Sequence, residues 1–111
     1  IYELDFPPNY FDGFWVSAML IHVPKQRLKE CLGKLVKITR SGGIGYISVM
    51  EGRADLEENR PGRFYTLWMQ KEFENELRLA GLRVLRHRRV ETGHSPWLTY
   101  ILRVSKENPK E

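Results

Sequence analysis

The sequence has 111 residues, of which 41% are hydrophobic and 29% charged, values that are ordinary for one globular domain and argue against disorder. No apolar run approaches the roughly 20 residues that a membrane helix needs. The net charge of +4 is too small to indicate a nucleic-acid partner by itself. The single cysteine, Cys31, has no partner for a disulfide or a metal cluster, so we expect a reducing, cytoplasmic setting, no metal and no membrane contact.

The first half of the chain predicts a strand, a helix and a second strand. Pro7-Pro8-Asn9 is a turn signal, and the nearly all-apolar run 14–21 is typical of a strand buried on both faces, as in a parallel sheet. Pro24 can begin a helix. Apolar residues follow it at helical spacing, at Leu28, Cys31, Leu32, Leu35 and Ile38. We expect Ser41-Gly42-Gly43 to end that helix and residues 44–50 to form a second buried strand.

The second half predicts a loop, a helix and a hairpin. Residues 51–65 are polar and contain Gly and Pro, as in a long loop. One face of a second helix carries Met69, Phe73, Leu77 and Ala80. Gly81 is expected to end it, and residues 83–90 and 97–104 to pair as an antiparallel hairpin with a loop of about four to six residues. The order indicates an α/β layer with one antiparallel element.

Four segments, in order along nearly the whole chain, carry a family resemblance. Residues 6–13 (FPPNYFDG) resemble the pattern F-P-D-x-x-F-D, and residues 17–24 (SAMLIHVP) contain the pattern L-x-H-V. Residues 35–43 (LVKITRSGG) are similar to R-V-L-K-P-G-G, and residues 73–82 end in Ala-Gly-Leu where A-G-F is frequent. This set resembles strands 4 to 7 of class I S-adenosylmethionine-dependent methyltransferases, in particular the small-molecule, ubiquinone-biosynthesis-like type.

The resemblance implies a Rossmann-like methyltransferase sheet, here its strand 4-5-7-6 portion with a carboxyl-terminal antiparallel hairpin. Residues 1–105 would be the carboxyl-terminal half of the domain, and residues 106–111 a flexible tail. The glycine-rich turn and the ribose-binding carboxylate of the family follow strands 1 and 2, which would precede Ile1. We therefore expect the chain to act as part of a larger or completed domain and to have weak or no activity alone.

The resemblance also implies S-adenosylmethionine as the cofactor of the complete domain. The residues expected at the end of strand 4, where the family contacts the methionine portion of the cofactor, are Ser17, Ala18 and Met19. The alternative for these residues is a strand end in which small side chains serve packing. No catalytic residue is identified.

Three residues are candidates for the substrate side. His22 could face the substrate, or it could be a helix-start histidine bonded to backbone. Glu51 follows strand 5 at the carboxyl edge, where a solvated carboxylate is the alternative. Tyr65 precedes the last helix, as does Trp68, and core packing is the alternative for both aromatic side chains. Cys31 is expected to be a buried, inert thiol.

Functions of different classes fit the sequence. The first is methyl transfer to an unidentified, small-molecule acceptor. The second is a non-catalytic interaction module that forms a homodimer, or pairs with a separate amino-terminal half, through the exposed edge of strand 4. The third and weakest is RNA binding by the basic segment 83–89, for which charged edge-strand protection is the favoured explanation because no aromatic stacking platform is interleaved with the arginines.

Overall fold

The computed structural model describes residues 6–17, 20, 23–52, 56–57, 64–91 and 96–106. The strands are β1 (Phe11–Val16), β2 (Thr39–Glu51), β3 (Leu56–Glu57), β4 (Phe64–Tyr65), β5 (Leu67–Trp68), β6 (Leu82–Val90) and β7 (Trp97–Val104). The helices are α1 (Leu28–Ile38), which a single 3-10 turn (Lys25–Arg27) precedes, and α2 (Gln70–Leu79).

One mixed sheet in the order β1-β2-β7-β6 organises the molecule, with β1 and β6 at its edges. β1 runs parallel to β2, and β7 runs antiparallel to both β2 and β6. The short β5 pairs in parallel with the end of β2, with Met50 opposite Leu67. Because Met50 also faces Trp97 of β7, β5 lies on the β1 side of β2, beyond the end of β1. The sheet order and the carboxyl-terminal hairpin are those predicted.

Both helices pack on one face of this sheet. Side chains alternate along each strand, and the inward set on β2 and β7 is fully or almost fully buried. The core cluster includes Ile47, Val49, Leu98, Tyr100, Leu102, Leu28, Cys31, Leu32, Leu35, Phe73 and Leu77. Since residues of both helices share one cluster with these strand positions, α1 and α2 cover the same side, which we call the covered face. All five apolar positions predicted for α1 are buried.

The other side of the sheet, the open face, carries large apolar side chains in solvent. Trp15 is 72% exposed and Ile44 is 46% exposed, and Ile101 and Val90 are also exposed. The ring of Trp15 stacks on Tyr46 of the neighbouring strand, with centroids 4.1 Å apart. The sequence predicted strands buried on both faces, and within the described residues only one face is covered.

The glycine segment after α1 differs from the prediction. Residues 41–43 do not form a helix stop: α1 ends at Ile38, and β2 already begins at Thr39, whose backbone is extended. Gly42 has φ +89°, and it lies where the pairing of β1 with β2 shifts register between Phe11 and Gly13. The left-handed conformation that glycine tolerates is therefore used for an irregularity within the strand pair.

Other boundaries also differ. β1 begins at Phe11 instead of residue 14, and residues 18, 19 and 21 of the predicted strand lie outside the described residues. The predicted loop 51–65 contains the end of β2 and the hairpin of β3 and β4, in which Leu56 pairs with Tyr65. Gly81, with φ +90°, follows α2 as predicted. The helices of the described residues are all too short and polar to cross a membrane.

The chain segments near its two ends lie side by side. The backbone N–H of Ser105 donates to the carbonyl of Gly81 at 2.8 Å. The Nζ of Lys106 donates to Oδ1 of Asn9 at 2.6 Å and to the carbonyl of Lys37 at 3.1 Å. Residues 107–111 of the predicted tail lie outside the described residues, so the limits 1–105 and 106–111 stay a prediction.

Candidate ligand site at the carboxyl end of the sheet

The sheet presents a shallow hollow of about 280 Å³ on the open face, where β1 and β2 end. Carboxyl ends of parallel strands are the usual place for ligands in open α/β sheets. The hollow is lined by Ser17, Tyr46, Ser48, Val90, Trp97 and Thr99. Three of these side chains are short alcohols from three different segments, which the register of β2 with β7 brings together by placing Ser48 opposite Thr99.

A second hollow, of about 330 Å³, continues from the first toward β6. Tyr46, Val90 and Thr99 line both, and the second adds Arg86 and Arg88. Thr99 donates its hydroxyl to the carbonyl of Arg88 at 3.2 Å, which ties β7 to β6 at this point. The joined surface is aromatic and hydroxyl-lined at one end and cationic at the other.

Of the three residues predicted to contact the cofactor, the structure describes Ser17. It follows the last residue of β1, and its side chain is exposed at the first hollow. Ala18, Met19 and His22 lie outside the described residues, and their predicted roles stay predictions.

Glu51 lies at the same end of the sheet but on the covered face, since it alternates with Ile47 and Val49 along β2. Its Oε1 accepts a hydrogen bond from Nε of Arg89 at 2.6 Å, and Arg89 also pairs with Glu91. The hydrogen bond to Glu51 raises the pKa of the Arg89 guanidinium above its already high value. The structure therefore does not bring Glu51 together with Ser17, and its carboxylate is already engaged.

The two aromatic candidates before α2 are Tyr65 and Trp68. The backbone of Tyr65 pairs with Leu56, while its side chain is outside the described part of the structure. Trp68 is 3% exposed and packs on Phe73, with Nζ of Lys25 4.7 Å from its ring centroid. Core packing, the alternative given for Trp68, is confirmed.

Cys31 is also a core residue. It is fully buried on the inner side of α1, and burial raises the pKa of its thiol. The predicted burial of Cys31 is confirmed, and its inertness, which follows if little thiolate forms, stays a prediction.

The hollow residues that sequence reasoning missed are Tyr46, Ser48, Trp97 and Thr99. Period-2 alternation in β2 would have placed Tyr46 and Ser48 on one face, but their convergence with Thr99 needs the antiparallel register. Among the described residues lining the two hollows there is no carboxylate, imidazole or thiol. The lining is thus suited to stacking, hydrogen bonding and charge pairing rather than to acid–base chemistry. No cluster of metal-ligating side chains occurs within the described ranges.

The fold of this chain is similar to that of several solved structures, although sequence comparison alone finds no related family. No protein-family model and no curated protein matches the sequence. A solved structure of 1,6-didemethyltoxoflavin-N1-methyltransferase from Burkholderia thailandensis, with 1,6-didemethyltoxoflavin and S-adenosylhomocysteine bound, superposes with a TM-score of 0.80 at 24% identity. A SAM-dependent methyltransferase from Methanosarcina mazei superposes with a TM-score of 0.78 at 12% identity. The chain has the class I S-adenosylmethionine-dependent methyltransferase fold.

A protein that catalyses a different reaction also has this methyltransferase fold. The [4+2]-cyclase SpnF matches with a TM-score of 0.75 at 13% identity. The alignments cover 94%, 95% and 94% of this chain but 48%, 65% and 53% of the Burkholderia, Methanosarcina and SpnF chains. The chain thus spans about half to two thirds of the length of these three proteins, and fold alone does not assign its activity.

Proposed function

We propose that this chain is the carboxyl-terminal portion of an S-adenosylmethionine-dependent methyltransferase and contributes one wall of its cofactor site. The observation that carries the proposal is the position of Ser17: it is exposed at the carboxyl end of β1, the free parallel edge of the sheet. A ligand that bridges β1 and a further parallel strand would lie at this point.

The described residues suit part of S-adenosylmethionine. The Ser17 hydroxyl can bond to a polar group of the cofactor, and the aromatic surface of Tyr46 and Trp97 can shield its apolar portions. The ribose hydroxyls need an acceptor, and the carboxylate at the end of β2, that of Glu51, is paired with Arg89 on the covered face. The remaining contacts must therefore come from other polypeptide, and binding by this chain alone is expected to be weak.

When bound, the cofactor supplies a methyl group on a sulfonium that already carries the reactive charge. The task of the protein is then to align donor and acceptor and to exclude water. Ser17 and the proposed neighbours Ala18 and Met19 would hold the cofactor, and His22 and Tyr65 would face a small-molecule acceptor. We propose for Glu51 a positioning part, because its ion pair with Arg89 holds the ends of β2 and β6 together from the face opposite the hollow.

Calorimetry with S-adenosylhomocysteine tests the proposal. A polypeptide extended upstream of Ile1 should bind the ligand, and Ser17→Phe should weaken that binding by about tenfold or more, about 1.4 kcal/mol, by filling the wall. Ser41→Phe is the matched control, since Ser41 is an exposed serine near the opposite end of β2. No binding by the extended polypeptide, or equal loss in both variants, contradicts the proposal.

A second function, a non-catalytic interaction module, is favoured by one feature. β1 is an edge strand with an apolar, solvent-exposed Trp15, and such an edge can pair with a strand of a second chain. Sedimentation equilibrium of the 111-residue chain tests this function. A concentration-dependent dimer that Trp15→Lys abolishes supports it, and a monomer at high concentration counts against it.

A further inference from the structure

The place of β1 in the sheet is taken over by β5, and this determines where the chain leaves the sheet. Val16, the last residue of β1, pairs with Ile47 of β2. Further along β2, Met50 pairs on the same side with Leu67 of β5. The two strands therefore follow one another along one side of β2. Because β5 blocks its path, the chain must turn away soon after β1 ends, and the backbone bends at Ser17.

Thr66 lies between these two strands. It directly precedes β5, and since β5 runs parallel to β2, it lies on the side of β5 that faces the end of β1. Its hydroxyl donates a hydrogen bond to the backbone carbonyl of Val23 at 2.7 Å. The N–H of Val23 in turn donates to the carbonyl of Leu20 at 3.1 Å, which closes a turn. Thr66 thus attaches to the sheet a turn that begins shortly after Ser17.

The bond from Thr66 is shielded from water. Thr66 and Leu20 are completely buried, and Val23 is 5% exposed. Both residues of the turn belong to the core cluster of the covered face. A buried carbonyl that loses its donor is not compensated by solvent, so the cost of removing the Thr66 hydroxyl would fall on this turn.

A second and weaker contact joins the same two segments. The Nζ of Lys25 lies 3.2 Å from Oε1 of Glu72 and 4.7 Å from the ring centroid of Trp68. The side chains of Lys25 and Glu72 are 25% and 44% exposed, and ion pairs that water reaches contribute little to stability. The buried hydroxyl of Thr66 is therefore the stronger connection.

We propose that Thr66 is a positioning residue of the cofactor wall: its buried hydroxyl fixes the turn from Leu20 to Val23 and thereby the direction in which Ser17 leaves the sheet. The inference rests on the proposed function, in which Ser17 contacts the cofactor. It adds a residue that acts through the turn rather than by contact with the ligand. Because Tyr65, proposed for the acceptor side, directly precedes Thr66, the same bond links the two sides of the site.

Amide hydrogen exchange of the 111-residue chain tests the positioning without any ligand. Thr66→Val should speed exchange of the Val23 amide by about fivefold or more relative to the amides of β7, which report on the core. Thr66→Ser keeps the hydroxyl and should restore slow exchange. Thr39→Val is the matched control. Thr39 is equally buried, but within the described residues its hydroxyl has no hydrogen-bond partner, so exchange at Val23 should not change.

The affinity for S-adenosylhomocysteine, measured by calorimetry, tests the consequence for the site. In the polypeptide extended upstream of Ile1, Thr66→Val should weaken binding by about fivefold to tenfold, while Thr66→Ser and Thr39→Val should bind like the wild type. Val104→Ala opens a cavity at the opposite end of the sheet and destabilises the chain without reaching the turn. It should leave the affinity unchanged, which separates positioning from general destabilisation.

The outcomes distinguish this inference from the proposed function. Unchanged exchange at Val23 in Thr66→Val, failure of Thr66→Ser to restore it, or an equal loss of affinity in Val104→Ala would each overturn the inference. So would unchanged affinity of Thr66→Val when the wild-type polypeptide binds. Absence of binding by the wild-type polypeptide contradicts the proposed function instead. If Thr66→Val does not fold, Thr66→Ala replaces it, because the smaller side chain lets water reach the carbonyl.

Discussion

On the covered face, Ile47, Val49 and Tyr100 are completely removed from solvent by α1 and α2, whereas on the open face Trp15 keeps 72% of its surface exposed. The same strands supply both sets of side chains, because successive residues point to opposite faces. The two faces are thus alike in apolar character and different in cover. The covered face forms the core of this chain, whereas the open face leaves its apolar side chains in solvent.

The largest expected difference between the faces is the effect of removing one aromatic ring. Phe73 is fully buried between α2 and the sheet, so Phe73→Ala should lower the free energy of unfolding by about 3–5 kcal/mol. Trp15→Ala removes a larger ring from the open face and should change it by only about 0.5 kcal/mol. Urea unfolding of both variants measures the contrast. Similar losses would mean that the open face contributes to the core of this chain.

The glycine at the centre of the covered face should be the next most sensitive position. A Cβ on Gly45 would lie 2.1 Å from the ring of Phe14, so Gly45→Ala forces that ring aside and should cost about 1–3 kcal/mol. In a Phe14→Leu background the cost should shrink, which a double-mutant cycle in urea can measure. An unchanged cost in that background would show that the ring contact is not the cause.

The buried phenol of Tyr100 on the covered face should make the free energy of unfolding depend on pH in the alkaline range. Burial, and then the Glu74 carboxylate bonded to its hydroxyl at 3.2 Å, raise the pKa of the Tyr100 phenol above its ordinary value near 10. Below about pH 10 the phenol is protonated in both folded and unfolded chains, and its contribution is complete. Above that pH the unfolded phenol loses its proton first, so stability falls by up to about 1.4 kcal/mol per unit.

Urea unfolding between about pH 9 and pH 11.5 measures this slope, with Tyr100→Phe as the control that lacks the phenol. The difference between the two proteins isolates Tyr100 from other groups that titrate in the same range. Parallel pH profiles for the two would show that the phenol is not shielded in solution.

The smallest expected effect is a gain of stability from a substitution on the outer side of α1, away from both faces of the sheet. Gly33 lies on the exposed side of α1, and a Cβ there would meet no atom within 4 Å. Gly33→Ala should therefore stabilise the chain by about 0.5–1 kcal/mol through helix propensity. Thermal unfolding measures the shift. A loss would indicate that this side of α1 has contacts in solution.

The sequence predicted the elements that depend on local periodicity. The helical spacing of apolar residues from Leu28 to Ile38 predicted α1 and its buried side. The glycine that follows α2 predicted where that helix ends. The family resemblance predicted the order of the strands in the sheet. The role of residues 41–43 was not predictable in the same way. Two adjacent glycines are compatible with a helix end and with a strand irregularity, and only the pairing with β1 decides between them.

The candidate site was harder to predict than the fold. Ser17 was found through the family resemblance, which places it at the end of strand 4, since the apolar run itself continues past Ser17 to residue 21. Ser48 and Thr99 are separated by 51 positions in the sequence. They lie opposite each other only because of the antiparallel register of β2 with β7, which no local pattern encodes. The engagement of Glu51 with Arg89 likewise depends on which face each strand end presents.

The hydrogen bond from Lys106 to Asn9 has a consequence for the ways in which the chain can be reconnected. It places a residue near the carboxyl terminus within 2.6 Å of one that precedes β1. Polypeptide joined after residue 106 would start from the same corner of the molecule as polypeptide joined before residue 9. Nearby termini are the condition under which circular permutation succeeds. A short linker that joins residue 106 to residue 9 should therefore be tolerated, and a circularly permuted chain should keep the same sheet.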